Sequence, residues 1–235
     1  MQIRLVHGFT QTKRSWETVE ARLSRDWDVQ AVDVPDGLDF VGTADTLGIR
    51  SGPGVWVGYS MGGRLCLRLA LDRPAVVERL VLISASPGIA GAAEREQRRA
   101  ADERLAQEAE REGVSVFIDR WLAQPMFETL SREAAMIDDR LRRNTPYRIA
   151  HQLRALGQAA HDSLWPRLGD LDMPTLIVTG AYDRKYGEVG VRMAAAIGAN
   201  ARTVTVPRAG HAVHLERPDE VAALLTDWLG GAPTA

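Results

Sequence analysis

Gly58-Tyr59-Ser60-Met61-Gly62 sets a serine between two glycines, directly after the apolar run Val55-Trp56-Val57 and just before a helical pattern over Met61 to Leu71. The five-residue run is weak on its own, because both residue types are common. Between a strand and a helix it is strong: a sharp turn there lifts the serine hydroxyl above the sheet, and glycine relieves the crowding at the flanking positions. The turn also leaves the first N–H groups of the helix free to face developing negative charge. A serine at neutral pH is a poor nucleophile and a poor base, so it needs a histidine beside it and a carboxylate to orient that histidine.

Among five histidines, His211 is the candidate base, because Ala209-Gly210-His211 follows the last strand-like run and precedes the last helical one. His214 lacks the glycine-marked turn and reads as structural; His151 and His161 read as surface or packing residues. Asp183 is the candidate acid, since Gly180-Ala181-Tyr182-Asp183 follows the run Thr175 to Thr179 and opens at the same sheet edge. Asp170 and Asp172 precede that run and fall at the wrong end. The chain order Ser, Asp, His suits a strand–turn–helix nucleophile. His7-Gly8-Phe9 follows the first strand, so the backbone N–H groups of Phe9 and Met61 form a candidate oxyanion hole, with the His7 ring bracing its loop.

The elements that must position these groups alternate. Strands are expected over Ile3 to His7, Val29 to Val34, Val55 to Tyr59, Arg79 to Ser84, Thr175 to Thr179 and Arg202 to Val206, with helices over Thr12 to Ser24, Met61 to Leu71, Val189 to Ile197 and Pro218 to Leu229. Such alternation predicts an α/β fold with a mostly parallel sheet of about six strands and right-handed crossovers. It breaks between Pro87 and Leu171, where Ala, Arg and Glu recur with helical spacing over Ala92 to Arg111, Val114 to Leu122, Arg132 to Arg143 and Tyr147 to Leu156. Residues 1–86 and 171–235 are therefore expected to form the core, and 87–170 a helical cap over the strand ends, where ligands of open α/β sheets bind. Gly230 to Ala235 reads as a loose tail.

Bulk composition narrows the function classes. Twenty-nine basic against 31 acidic residues leave a net charge of −2, no field to gather nucleic acid or an anionic membrane. No apolar run approaches the roughly 20 residues of a membrane span, and the start lacks the regions of a signal peptide, so a cytoplasmic location is expected. Cys66, the single cysteine, reads as a small buried hydrophobe. The glycine-rich stretch Gly52 to Gly58 precedes a strand instead of following one, which excludes a dinucleotide loop. No metal motif occurs, and no cofactor is implied.

Taken together these residues resemble the α/β-hydrolases, and more specifically the 2-succinyl-6-hydroxy-2,4-cyclohexadiene-1-carboxylate (SHCHC) synthases, or MenH enzymes, of menaquinone biosynthesis. The likeness runs from His7 to the last helix. Its specific parts are Gly58 to Arg64, with Arg64 one turn beyond the serine; Ser86-Pro87-Gly88-Ile89 and the charged helix with Arg95 and Arg98; Trp121 to Phe127; and Asp183-Arg184-Lys185-Tyr186. The resemblance implies a lyase that eliminates pyruvate from 2-succinyl-5-enolpyruvyl-6-hydroxy-3-cyclohexene-1-carboxylate, a small multi-carboxylate substrate. It implies Arg64, Arg98 and Arg142 as carboxylate ligands, with Arg140 and Arg143 competing for the third place, and Tyr59 and Trp121 as pocket walls. A planar guanidinium suits such ligands because its fork matches a carboxylate. After the second strand this chain departs from the family's usual Asp-x-Pro-Gly-His-Gly and reads Asp33-Val34-Pro35-Asp36-Gly37-Leu38. Two other functions fit the same residues: a serine hydrolase cleaving an ester or carbon–carbon bond of a small acidic substrate, and a hydrolase-fold binding protein without catalysis.

Overall fold

The computed structural model describes residues 1–231; residues 232–235, and with them most of the expected tail, lie outside the described residues. Six strands, β1 (Gln2–Val6), β2 (Asp28–Val32), β3 (Gly54–Tyr59), β4 (Val77–Ile83), β5 (Thr175–Gly180) and β6 (Ala201–Val206), form one sheet in the order β2-β1-β3-β4-β5-β6. Every neighbouring pair is parallel. The central strands β3 and β5 are buried at all six positions, which is why they read as continuous apolar runs; the edge strands β2 and β6 alternate more with polar residues. Strand order reverses between β1 and β3, and a ligand crevice belongs at such a point.

One face of the sheet is covered by α1 (Glu17–Leu23) and α9 (Pro218–Gly230), around Trp16, Val19, Val221 and Leu225. The other is covered by α2 (Phe40–Ser51), α3 (Met61–Asp72) and α8 (Arg184–Ile197), around Phe40, Leu65, Leu69 and Met193. The helix α2 had no counterpart in the sequence reading. Asp39 starts it by accepting from the Gly42 N–H at 2.7 Å, and Gly52 ends it at φ 71°. Its glycines dilute helix propensity, but a Cβ at Gly48 would come within 2.6 Å of Leu69, so one of them lets α2 approach α3 closely. The first expected helix divides into a 3₁₀ turn over Lys13–Trp16 and then α1. The final helix runs through Gly230, one residue into the expected tail.

Between β4 and β5 the chain inserts α4 (Ala92–Glu112), α5 (Val114–Leu122), α6 (Ile137–Arg143) and α7 (Pro146–Leu156). The helix α6 starts five residues later than expected, after a turn at Met136 with φ 54°. The inserted helices have a small core of their own, with Ala106, Phe117, Ile118, Ile149 and Leu153, onto which Phe9 packs. The departing loop after β2 is tied to this insertion: Asp36 accepts from Arg148 Nε at 2.8 Å, and the Leu38 carbonyl meets His151 Nε2 at 3.1 Å.

Candidate active site

Ser60 closes β3 and opens α3 with φ 50° and ψ −107°, a conformation costly for a residue with a side chain and found where surrounding packing enforces it. The turn is possible because glycine stands on both sides. A Cβ at Gly58 would sit 2.6 Å from Gly63 Cα, and one at Gly62 would fall on the Val6 and His7 carbonyl oxygens.

His211 Nε2 lies 3.3 Å from Ser60 Oγ, and its Nδ1 lies 2.6 Å from Asp183 Oδ2. Both His211 and Asp183 are buried. The other Asp183 oxygen accepts the Tyr186 N–H at 3.4 Å, so the acid also caps α8 and is fixed at both oxygens. The loops carrying acid and histidine cross at Gly180, where a Cβ would overlap the Ala209 and Gly210 carbonyls. The Tyr186 and Phe127 rings flank the imidazole at 4.5 and 5.9 Å. The geometry matches a serine held for activation by an oriented imidazole.

Phe9 and Met61 line one cavity with Ser60. The Met61 N–H belongs to the first turn of α3, where N–H groups have no intrahelical acceptor. The Phe9 loop is held from three sides. His7 Nε2 accepts the Val34 N–H at 3.0 Å, which puts the ring proton on Nδ1, 2.9 Å from the Gly8 carbonyl. Burial pushes the His7 pKa down to about 4, so the ring stays neutral as a brace. Gln11 Oε1 accepts the Gly8 N–H, and from the insertion Arg140 donates to Thr10 Oγ1 while Asn144 donates to the Thr10 carbonyl. Thr10 has φ 63°, and these bonds hold that conformation.

The cavity has a volume of about 370 Å³ and is roofed by α4, α5 and α7. Arg64, Arg98 and Trp121 line it. Arg64 is buried, with one N–H donated to the Leu156 carbonyl at 2.8 Å; desolvation lowers its pKa to about 10, which leaves it cationic at neutral pH. Arg98 pairs with Asp102 at 2.8 Å. Lys185 adds a third cation at the wall.

Two expectations are corrected. Arg142 does not face this cavity; it is exposed, in a shallow depression with Arg14, Arg132 and Asp139. Residues two apart on a helix point to nearly opposite sides, and α6 turns Arg140 inward. Arg140 is committed to the Phe9–Thr10 loop and Arg143 lies 3.9 Å from Asp33, so no arginine of α6 lines the cavity. Tyr59 is also outside the wall: its ring packs behind His211, against Gly8 and 4.3 Å from the His214 ring. His214 is buried between Trp16 and Tyr59, a packing residue whose pKa burial drives far down.

Sequence reading missed Asp102, Gln124, Gln152 and Gln158 in the cavity wall. Asp102 was signalled by its position four residues after Arg98. Gln152 was signalled as a polar break in an α7 face otherwise made of Ile149, Leu153 and Leu156. Among the described residues, no group of three His, Cys, Asp or Glu side chains could hold a metal ion, and no helix is long and apolar enough to cross a membrane.

A serine on a strained strand-to-helix turn, at the switch point of a parallel sheet, with histidine and aspartate behind it, defines an α/β-hydrolase, and a family model described as the alpha/beta hydrolase family matches residues 5–224. The chain is 30% identical, over 95% of its length and 91% of the relative's, to the SHCHC synthase of Serratia proteamaculans. It is 31% identical, over 95% of its length and 88% of the relative's, to a Bacillus subtilis protein given the same name provisionally. The structure of MenH from S. aureus matches with a TM-score of 0.92 at 28% identity, covering 98% of this chain and 93% of that one. The chain belongs to the alpha/beta hydrolase family and, within it, to the SHCHC synthases.

Proposed function

We propose that this chain eliminates pyruvate from 2-succinyl-5-enolpyruvyl-6-hydroxy-3-cyclohexene-1-carboxylate, with Ser60, His211 and Asp183 as the catalytic triad and residues 87–170 as a cap over the site. The observation that carries this reading is the joining of the triad to a cavity containing three cations, Arg64, Arg98 and Lys185. An ester hydrolase for neutral substrates has no use for that charge, whereas a polyanionic substrate needs it to leave water.

His211, oriented by Asp183, takes the Ser60 proton. The serine oxygen then acts as base and removes a ring proton, and the electron pair of that C–H bond enters the conjugated system. Negative charge developing on oxygen is met by the N–H groups of Phe9 and Met61. The ring carbon–oxygen bond to the enolpyruvyl group breaks, and pyruvate leaves as its enolate. Proton return from the His211 imidazolium leaves pyruvate and the neutral imidazole, while the ring proton stays on Ser60 Oγ. No covalent acyl-enzyme forms on this route. Arg64 and Arg98 hold carboxylates, and Trp121 with the Phe9 ring, 4.8 Å apart and edge-on, supplies an apolar wall beside the reacting carbon.

A serine hydrolase for a small acidic substrate would use the same triad covalently. The two are separated by supplying the enolpyruvyl substrate and a chromogenic ester to the same protein. Fast pyruvate release without an acyl-enzyme burst supports elimination; a stoichiometric burst with the ester and no pyruvate would replace it with the hydrolase reading.

A further inference from the structure

Two polar side chains in the wall of the Ser60 cavity carry atoms that the fold leaves unpartnered. Gln152 of α7 is 1% exposed, and neither its Oε1 nor its Nε2 has a hydrogen-bond partner. Asp102 of α4 is 3% exposed; its Oδ1 accepts from Arg98, and its Oδ2 has no partner. A buried amide left unsatisfied is costly, and native folds leave few such groups. A leucine or methionine at 152 would continue the apolar face of Ile149, Leu153 and Leu156 without that cost. Gly157 keeps the free edge of Asp102 clear, since a Cβ there would lie 2.6 Å from Oδ2.

The chemistry of these atoms differs from the rest of the wall. Arg64, Arg98 and Lys185 are pure donors and suit carboxylates. A carboxylate could satisfy only the N–H side of Gln152 and would be repelled by Asp102. The Gln152 amide N–H and the free Asp102 carboxylate oxygen, both in the wall of this cavity, are together complemented by a neutral group that accepts from the first and donates its one proton to the second: a hydroxyl.

We propose that Gln152 and Asp102 are specificity-determining residues that hydrogen-bond a hydroxyl of the substrate, so that the cavity selects a hydroxylated polycarboxylate over its counterpart without that hydroxyl. This rests on the cavity being the site of pyruvate elimination, and deepens it by dividing the wall into a cationic part for the carboxylates and a neutral-ligand part for the ring hydroxyl. A site built to hydrogen-bond a hydroxyl discriminates sharply against its absence, because the wall groups are then buried unpaired.

The test uses the full chain as Ser60→Ala, titrated calorimetrically with the hydroxylated elimination product and with 2-succinylbenzoate, which keeps both carboxylates and the ketone but lacks the hydroxyl. The expected result is at least tenfold tighter binding of the hydroxylated ligand, falling below threefold when Gln152→Met or Asp102→Asn is added. In the active protein, Gln152→Met is expected to lower kcat/KM for pyruvate release at least tenfold, while its thermal midpoint stays level or rises because a buried unpaired amide is gone. Equal affinity for the two ligands, or a preference that survives both substitutions, would overturn the proposal while leaving the elimination reading intact. Binding of neither ligand by Ser60→Ala, with no pyruvate released by the active protein, would overturn both.

Discussion

Replacing Arg64 with methionine is expected to move function and stability in opposite directions. The side chain is 6% exposed, and its guanidinium makes one hydrogen bond, to the Leu156 carbonyl, with the Phe40 ring 6.0 Å away. The neighbouring carboxylate, Asp102, is paired with Arg98. The fall of the Arg64 pKa from the ordinary guanidinium range to about 10 corresponds to roughly 3 kcal/mol held against the folded protein, at about 1.4 kcal/mol per pH unit. Loss of the Leu156 bond takes back about 1 kcal/mol, so Arg64→Met gains about 2 kcal/mol. For a domain of this size that is a rise of roughly 4–8 °C in the unfolding midpoint. Hydrogen bonds to a charged group contribute about 1.5–3 kcal/mol, so the same substitution raises KM for the anionic substrate roughly 10- to 150-fold. The assays are thermal unfolding of the free protein and coupled detection of pyruvate across a substrate series. A lower midpoint together with an unchanged KM would refute the assignment, because Arg64 would then be a structural residue satisfied by the fold.

Three further outcomes are expected. Asp183→Asn should cut kcat by about 10³–10⁴ with KM little changed, since the amide favours the wrong imidazole tautomer; steady-state kinetics separates the two parameters. Arg98→Ala is expected to raise KM at least tenfold, whereas Arg142→Ala, on an exposed face away from the cavity, changes it less than twofold; equal effects would mean that α6 faces the substrate after all. His161, stacked on Phe40, has its pKa lowered to about 4, chiefly by burial. The unfolded chain therefore binds a proton between about pH 6.5 and 4 that the folded one does not, so the stability contribution is complete above 6.5 and falls as pH drops toward 4, by an amount on the order of 3 kcal/mol. Unfolding midpoints measured across that window should decline less steeply in His161→Phe.

The parts of the site legible in the sequence are those fixed by backbone constraint. Gly58 and Gly62 are needed because neighbouring backbone occupies the Cβ positions, and Gly180 because two loops cross there, so Ser60, Asp183 and His211 each stand beside a glycine that marks a strand end. The inner strands were legible because burial on both faces leaves a largely apolar run, and the edge strands β2 and β6 by their alternation of apolar with polar residues. What stayed hidden depends on tertiary partners. Arg140, Arg142 and Arg143 are indistinguishable by type; the side of α6 that turns inward is set by Thr10 and Phe9, more than 120 residues away. Tyr59 follows the pleat away from the cavity to pack behind His211, although its neighbour Ser60 faces it. The helix α2 is held by Leu69 pressing against Gly48, a contact that no local propensity records.

The central claim is that Ser60, held 3.3 Å from His211 beneath a cationic cavity, is the base for pyruvate elimination. It is tested most directly by supplying the enolpyruvyl substrate to the wild-type and Ser60→Ala proteins and following pyruvate through a coupled assay. The account predicts rapid release by the wild-type and a loss of at least about 10³-fold in kcat in the variant, with substrate still bound. Release by Ser60→Ala at a rate near that of the wild-type would contradict it.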